Sequence, residues 1–211
     1  MKILAISDVE SRLFYDCYTP GRLREYDLII SCGDLNSDYL EFLVTMANRP
    51  LLYVHGNHDA RYEKHPPEGC ECADDRLIKV RGLRILGLGG CPMYNKGPFQ
   101  YTERQMRKRI RKLNWKIRWA GGVDIVLTHA PMRGYGDLDD VTHRGFEAFQ
   151  PLIDKWKPKY LVHGHVHLNY GSRQPRVLQY GETTIINACG KYVLELDDPP
   201  AEEKKRRFFF R

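Results

Sequence analysis

The 211-residue chain predicts an α/β fold, and three observations carry that expectation. Short apolar runs rich in β-branched residues recur along it. Segments with helical periodicity alternate with those runs. Each run also breaks off at an Asp, Asn or His. Runs that are apolar throughout suit strands covered on both faces.

Taken in order, "KILAISD" is a first strand that ends at Asp8, and "DLIISCGD" is a second that ends at Asp34. Residues 38–48 place Leu40, Phe42, Leu43 and Met46 at near-helical spacing and predict a helix. "LLYVHGNHD" reads as a strand running into Asn57, His58 and Asp59. Residues 76–90 form a hairpin pattern with a glycine at the reversal. Residues 101–120 set Met106, Ile110, Leu113 and Ile117 at spacings of four, three and four, an amphipathic helix with cations around the rest. "VDIVLTHA" delivers His129, 144–157 repeats a helical pattern, and "YLVHGHVH" delivers His165 and His167. A second hairpin pattern covers 176–189, and "KYVLELD" is the last strand before "DDPP" at 197–200. One domain is expected over 1–198, with a basic and aromatic C-terminal tail at 199–211.

The net charge of +6 is uneven. Residues 101–120 carry +7, the last eleven residues carry +3, and the remainder is acidic at −4. The basic character therefore belongs to two segments. For 101–120 the choice is between a docked helix with a solvated charged face, which is favoured, and a cationic wall attracting phosphate-rich substrates or nucleic acid. The tail "KKRRFFFR" suits an acidic membrane surface or a neighbouring subunit. Cys17, Cys32, Cys70, Cys72, Cys91 and Cys189 are scattered without a C-x-x-C pair, which favours reduced thiols over disulfides or a structural zinc. No apolar run reaches the length of a membrane span, and the N-terminal one is too short for a signal peptide, so a cytoplasmic location is expected.

Functional groups in open α/β sheets gather beyond the carboxyl ends of strands. Here those ends carry Asp8 and Glu10, then Asp34, then Asn57, His58 and Asp59, then His129, then His165 and His167. Asp8 and Glu10 alone admit three readings: metal ligands, an acid–base pair, or a solvated turn. The whole set, oxygen and nitrogen donors without thiolate, has the chemistry of a transition-metal site. It is large enough for two ions, and paired metals about 3.5–4 Å apart clamp a phosphoryl group and activate water.

The series D-x-E, GD, GNHD, H and GHVH resembles the calcineurin-like metallophosphoesterases, whose pattern is D-x-H, GD, GNH[ED], H and GHxH. The blocks occur in order from Asp8 to His167. The resemblance implies a four-layer α/β/β/α sandwich, two mixed sheets flanked by helices, and a dinuclear metal-dependent phosphoesterase acting on a small phosphorylated substrate. It implies Asp8 and His167 at a first metal, Asp34 bridging, and Asn57, His129 and His165 at the second. His58 would be the general acid or a donor to the phosphate, with Asp59 orienting it or supporting its charge, and Gly33, Gly56 and Gly164 would allow tight turns. Glu10 departs from the pattern, standing where the family has a histidine. As a ligand it would lower the formal charge of the centre from about +2 to about +1, favouring hard ions such as Mn²⁺ or Mg²⁺ over Zn²⁺, with Fe also compatible, and a phosphodiester over a monoester. Otherwise it swings away from the metals. The alternatives are a nuclease gripping its substrate with the 101–120 helix, and a non-catalytic metal-binding scaffold of the same fold.

Overall fold

Two β-sheets packed face to face organise the chain, which the computed structural model describes over residues 1–168 and 175–196. The first sheet contains β1 (Lys2–Ser7), β2 (Leu28–Ser31), β3 (Leu51–Tyr53) and β4 (Glu71–Cys72) side by side and parallel. Its other edge is β13 (Gly190–Glu195), antiparallel to β1. The second sheet has parallel strands β6 (Leu83–Leu88), β9 (Ile125–Thr128), β10 (Tyr160–His163) and β12 (Thr183–Asn187). Antiparallel β5 (Arg76–Val80) and β11 (Val177–Tyr180) border it, so both expected hairpins form. The first reverses at Arg81 and Gly82, both left-handed, as a two-residue hairpin turn requires. A short pair, β7 (Cys91–Pro92) and β8 (Gln100–Tyr101), lies apart.

The uninterrupted apolar runs reflect burial on both faces. Ile3 and Ala5 of β1 point between the sheets, where they join Ile30, Leu127, Val162 and Ile186. Leu4 and Ile6 point the other way, against Tyr39, Leu40 and Leu43 of α1 (Ser37–Ala47). On the outer face of the second sheet, Val126 and Leu161 meet α2 (Glu103–Trp119) and α3 (Phe149–Trp156). The result is the expected α/β/β/α order. The tail at 199–211 and the boundary at 198 lie outside the described residues. All six cysteines are free, and among the described residues no helix is long and apolar enough to cross a membrane.

α2 matches its sequence pattern: Met106, Ile110, Leu113 and Ile117 are its buried residues, and Thr102 with Gln105 closes a capping box. It spans the length of the second sheet. Its first residue, Glu103, lies beside the 147–148 turn, while Ala120 accepts a hydrogen bond from Arg84 at the start of β6. Its N-terminal half therefore runs beside the strand ends, where Arg109 donates to the Gly89 carbonyl just past β6.

α3 is shorter than the helix expected over 144–157. Phe146 donates its N–H to Pro131 and bridges to Met132, so the chain there is held in a strand-like contact. The Glu103 carboxylate accepts from the N–H of Glu147 and of Ala148, at 2.8 and 3.0 Å, and fixes the turn from which the helix starts. Phe146 is buried in the same cluster as Phe149. Its spacing reported burial and not helix.

Candidate metal centre

The candidate ligands sit on the first residues after parallel strands of both sheets. Asp8 follows β1, Asp34 follows β2 by three residues, and His165 follows β10 by two. All three have positive φ, at 62°, 57° and 67°. Asp and His tolerate this conformation better than most side chains, and it turns each carboxylate or ring sharply off the strand direction. The preceding glycines serve two purposes. Gly33 has φ of +92°, whereas Gly56 and Gly164 are needed for close approach. A Cβ at Gly56 would overlap the Asp34 carboxylate, and one at Gly164 would overlap Ser7 and Asp8. The tight-turn role expected for all three glycines holds at Gly33.

Asp34, His129 and His165 form the nucleus of the site, with one ligand atom from each within 4.8 Å of the others. His129 is fully buried. Its Nδ1 donates to the Cys32 carbonyl at 2.7 Å, which leaves Nε2 facing Asn57 Oδ1 at 3.0 Å and Asp34 Oδ2 at 3.4 Å. Two oxygen acceptors converging on one imidazole nitrogen favour positive charge there. His165 donates from Nε2 to the Thr142 carbonyl at 2.8 Å, leaving Nδ1 as its lone-pair nitrogen. Fixing one ring nitrogen by a backbone carbonyl is how metal-binding histidines are oriented. The Asp8 carboxylate accepts from Ser7 Oγ and from the His165 N–H at 3.0 Å, which ties the first sheet to the second.

The electrostatics agree with a cation site. Burial pushes the Asp8 carboxyl up, opposed by the charges of His129 and His167. Burial also raises Asp34, but the charge and hydrogen bond of His129 outweigh it and hold that carboxyl well below the usual range. His129 would be lowered by burial alone, and Asp34 and Asp8 lift it to about 9. His165 falls to about 3, through burial and the neighbouring His129 charge. The donor set fits divalent metal: anionic oxygen, amide oxygen and imidazole, with no thiolate.

Around this nucleus the other expected residues fall into place differently. Asn57 donates from Nδ2 to the Tyr94 hydroxyl at 3.2 Å, with Oδ1 toward His129. His167 is half-buried and acts electrostatically on Asp8. Glu10 is exposed, and its Oε1 accepts from the Asn36 N–H at 3.3 Å at the start of α1. His58 gives its N–H to Asp34 Oδ1 at 2.8 Å while its ring is exposed. Asp59 is buried, and its Oδ2 accepts from the N–H of Asp34 at 2.9 Å and of Gly56 at 2.7 Å. Those bonds tie the β2 and β3 loops together. Among the described residues, no side-chain bond joins Asp59 to the His58 ring. Tyr94 and the Thr142 carbonyl were not legible in the sequence, since both reach the site through the docking of loops.

Beside this centre, His55 Nδ1 lies 2.6 Å from Asp74 Oδ2, with Cys72 Sγ at 4.0 Å and the Arg109 guanidinium 3.7 Å from Asp74. Burial lowers His55, but the bond to Asp74 lifts it to about 9. With Arg109 neighbouring the same carboxylate, this is an ion-pair network that braces the 56–59 loop against α2.

The family description "calcineurin-like phosphoesterase superfamily domain" matches residues 1–192, and the chain belongs to that superfamily. A UPF0046 protein of Caenorhabditis elegans is 25% identical over 75% of this chain and 63% of its own length. Metallophosphoesterase domain-containing protein 1 of Homo sapiens is 25% identical over 89% of this chain and 65% of its own. The chain thus spans less than two thirds of either relative. The crystal structure of TT1561 of Thermus thermophilus superposes with a TM-score of 0.57 at 16% identity, covering 90% of this chain and 89% of that one. Another solved structure reaches 0.68 at 15% identity over 92% and 94%.

Proposed function

We propose that the protein hydrolyses phosphate esters with two divalent metal ions, Mn²⁺ in preference to Fe, Mg²⁺ or Zn²⁺, and favours a phosphodiester over a monoester. The reading is carried by one observation, the convergence of Asp34, His129 and His165 from separate strand ends onto a common point. Asp8 and His167 would hold one ion, Asp34 would reach both, and Asn57, His129 and His165 would hold the other. Bound there, such ions supply Lewis-acid stabilisation of the phosphoryl oxygens and a water acidified toward neutral pH. Glu10 Oε1 accepts from the Asn36 N–H, so joining the first ion would use its other oxygen or break that bond.

The chain's own contribution is positional. The Cys32 and Thr142 carbonyls fix the rings of His129 and His165. His58, anchored by its backbone to Asp34 and exposed at the ring, is the proton donor to the leaving oxygen. Asp59 is a positioning residue that holds the two loops in register. Hydrolysis of bis-nitrophenyl phosphate under Mn²⁺ is expected to exceed that of the mono-ester, and Asp34→Asn or chelated protein is expected to lose nearly all of both. Activity surviving both treatments would overturn the mechanism.

A further inference from the structure

We propose that the outward stripe of α2 is a docking surface for an anionic phospholipid bilayer, a role independent of the phosphoesterase reading. With about 3.6 residues per turn, Arg104, Lys108, Arg111, Trp115 and Trp119 recur at spacings of four, three, four and four. They lie opposite the buried stripe of Met106, Ile110, Leu113 and Ile117. These two indoles are turned directly away from the core. Trp119 is 84% exposed and Trp115 56% exposed. Single surface apolar residues are ordinary, but two tryptophans on one helical crest are not. None of Arg104, Lys108 and Arg111 has an ion-pair partner among the described residues, and neither do the flanking Lys112 and Arg118.

Indoles combine an apolar body with one polar N–H, which suits the boundary between lipid headgroups and acyl chains. Cations interleaved with them attract an anionic headgroup layer. Three other occupants fit less well. The rings meet edge to face, with centroids 6.0 Å apart and planes at 89°, so they offer no parallel platform for successive bases of a single-stranded nucleic acid. A second copy docking through the same stripe would set cations against cations. The chain's own segment beyond 203 brings further cations, Lys204, Lys205, Arg206 and Arg207.

The placement also has a direction. Trp119 lies at the end of α2 beside the start of β6, the pole opposite the candidate metal ligands. β13 ends at that pole too, where Leu196 donates to the Met1 carbonyl. Docking along this stripe lays the outer face of α2 on the bilayer and leaves the strand ends that carry the candidate ligands at the side, open to soluble substrate.

Full-length protein is sedimented with phosphatidylcholine vesicles, with or without about 30% phosphatidylserine. Binding only to the anionic vesicles is expected, falling as salt rises, with a blue shift in tryptophan emission. The triple variant Arg104→Glu, Lys108→Glu, Arg111→Glu should lose at least tenfold in affinity. The double variant Trp115→Ala, Trp119→Ala should lose the blue shift. Both should keep their melting temperature and soluble hydrolysis. Equal binding to neutral vesicles, unchanged binding by the triple variant, tighter binding to a single-stranded oligonucleotide at equal phosphate, or concentration-dependent dimerisation abolished by the double variant would each overturn the proposal.

Discussion

At the scale of single residues, Asp59 separates two roles that its sequence position leaves fused. Its carboxylate holds two backbone N–H groups, and burial followed by the charge of Asp34 raises its pKa to about 6. Removing the acceptor strands buried donors, so Asp59→Ala should lower stability by about 2–4 kcal/mol in denaturant titration. Asp59→Asn keeps an oxygen acceptor and should retain the pH–rate profile with a smaller loss of stability. A displaced profile would make Asp59 a charge partner of His58 instead. Gly164 offers a second test. A Cβ there meets Ser7 and the Asp8 carboxylate, so Gly164→Ala should weaken metal binding by roughly 10–100-fold, the range for groups that orient ligands, as calorimetry of metal titration would read. Asp8, Asp34 and His165 were legible because each ends an apolar run. The duty of Asp59 was not, because it depends on two loops meeting.

At the scale of elements, β-strands and α2 were legible because their apolar spacing coincides with burial on the observed faces. The start of α3 was not, since Phe146 supplies the right spacing from a bridged loop. The turn from α2 into β9 depends on a pairing with no periodic signature. Asp124 accepts from the Arg84 guanidinium at 2.6 and 2.9 Å and from its backbone N–H at 2.7 Å. Burial raises Asp124, but these bonds outweigh it and leave its carboxyl below the ordinary value of 3.8. A depressed carboxyl contributes stability that is present above its unfolded pKa and lost as pH falls through the folded one. Asp124→Asn should therefore lower the melting temperature at neutral pH, and the difference from the parent should shrink as pH falls through the depressed pKa of the folded carboxyl. A constant difference across that range would assign the effect to packing.

At the scale of the molecule, the candidate ligands divide between the sheets. Asp8, Asp34 and Asn57 follow strands of the first sheet, and His129, His165 and His167 follow strands of the second. The sheets otherwise meet through a non-directional apolar core, with polar ties at this edge such as the His165 N–H to Asp8. The buried edge also gathers like charges, since Asp34 raises Asp8 and Asp59 electrostatically. A cation held there would relieve that repulsion and tie the two sheets, so metal should bind the folded chain far better than the unfolded one. At free metal about 100 times its Kd the added stability is about 2.7 kcal/mol, or a rise in Tm of ~5–10 °C for a chain of this size. Differential scanning calorimetry with Mn²⁺ and then with chelator should show that rise and its reversal. Asp34→Asn, which removes charge from the shared point, should lose most of the shift. A Tm indifferent to metal in the parent protein would mean that the two sets of ligands do not close on a common ion.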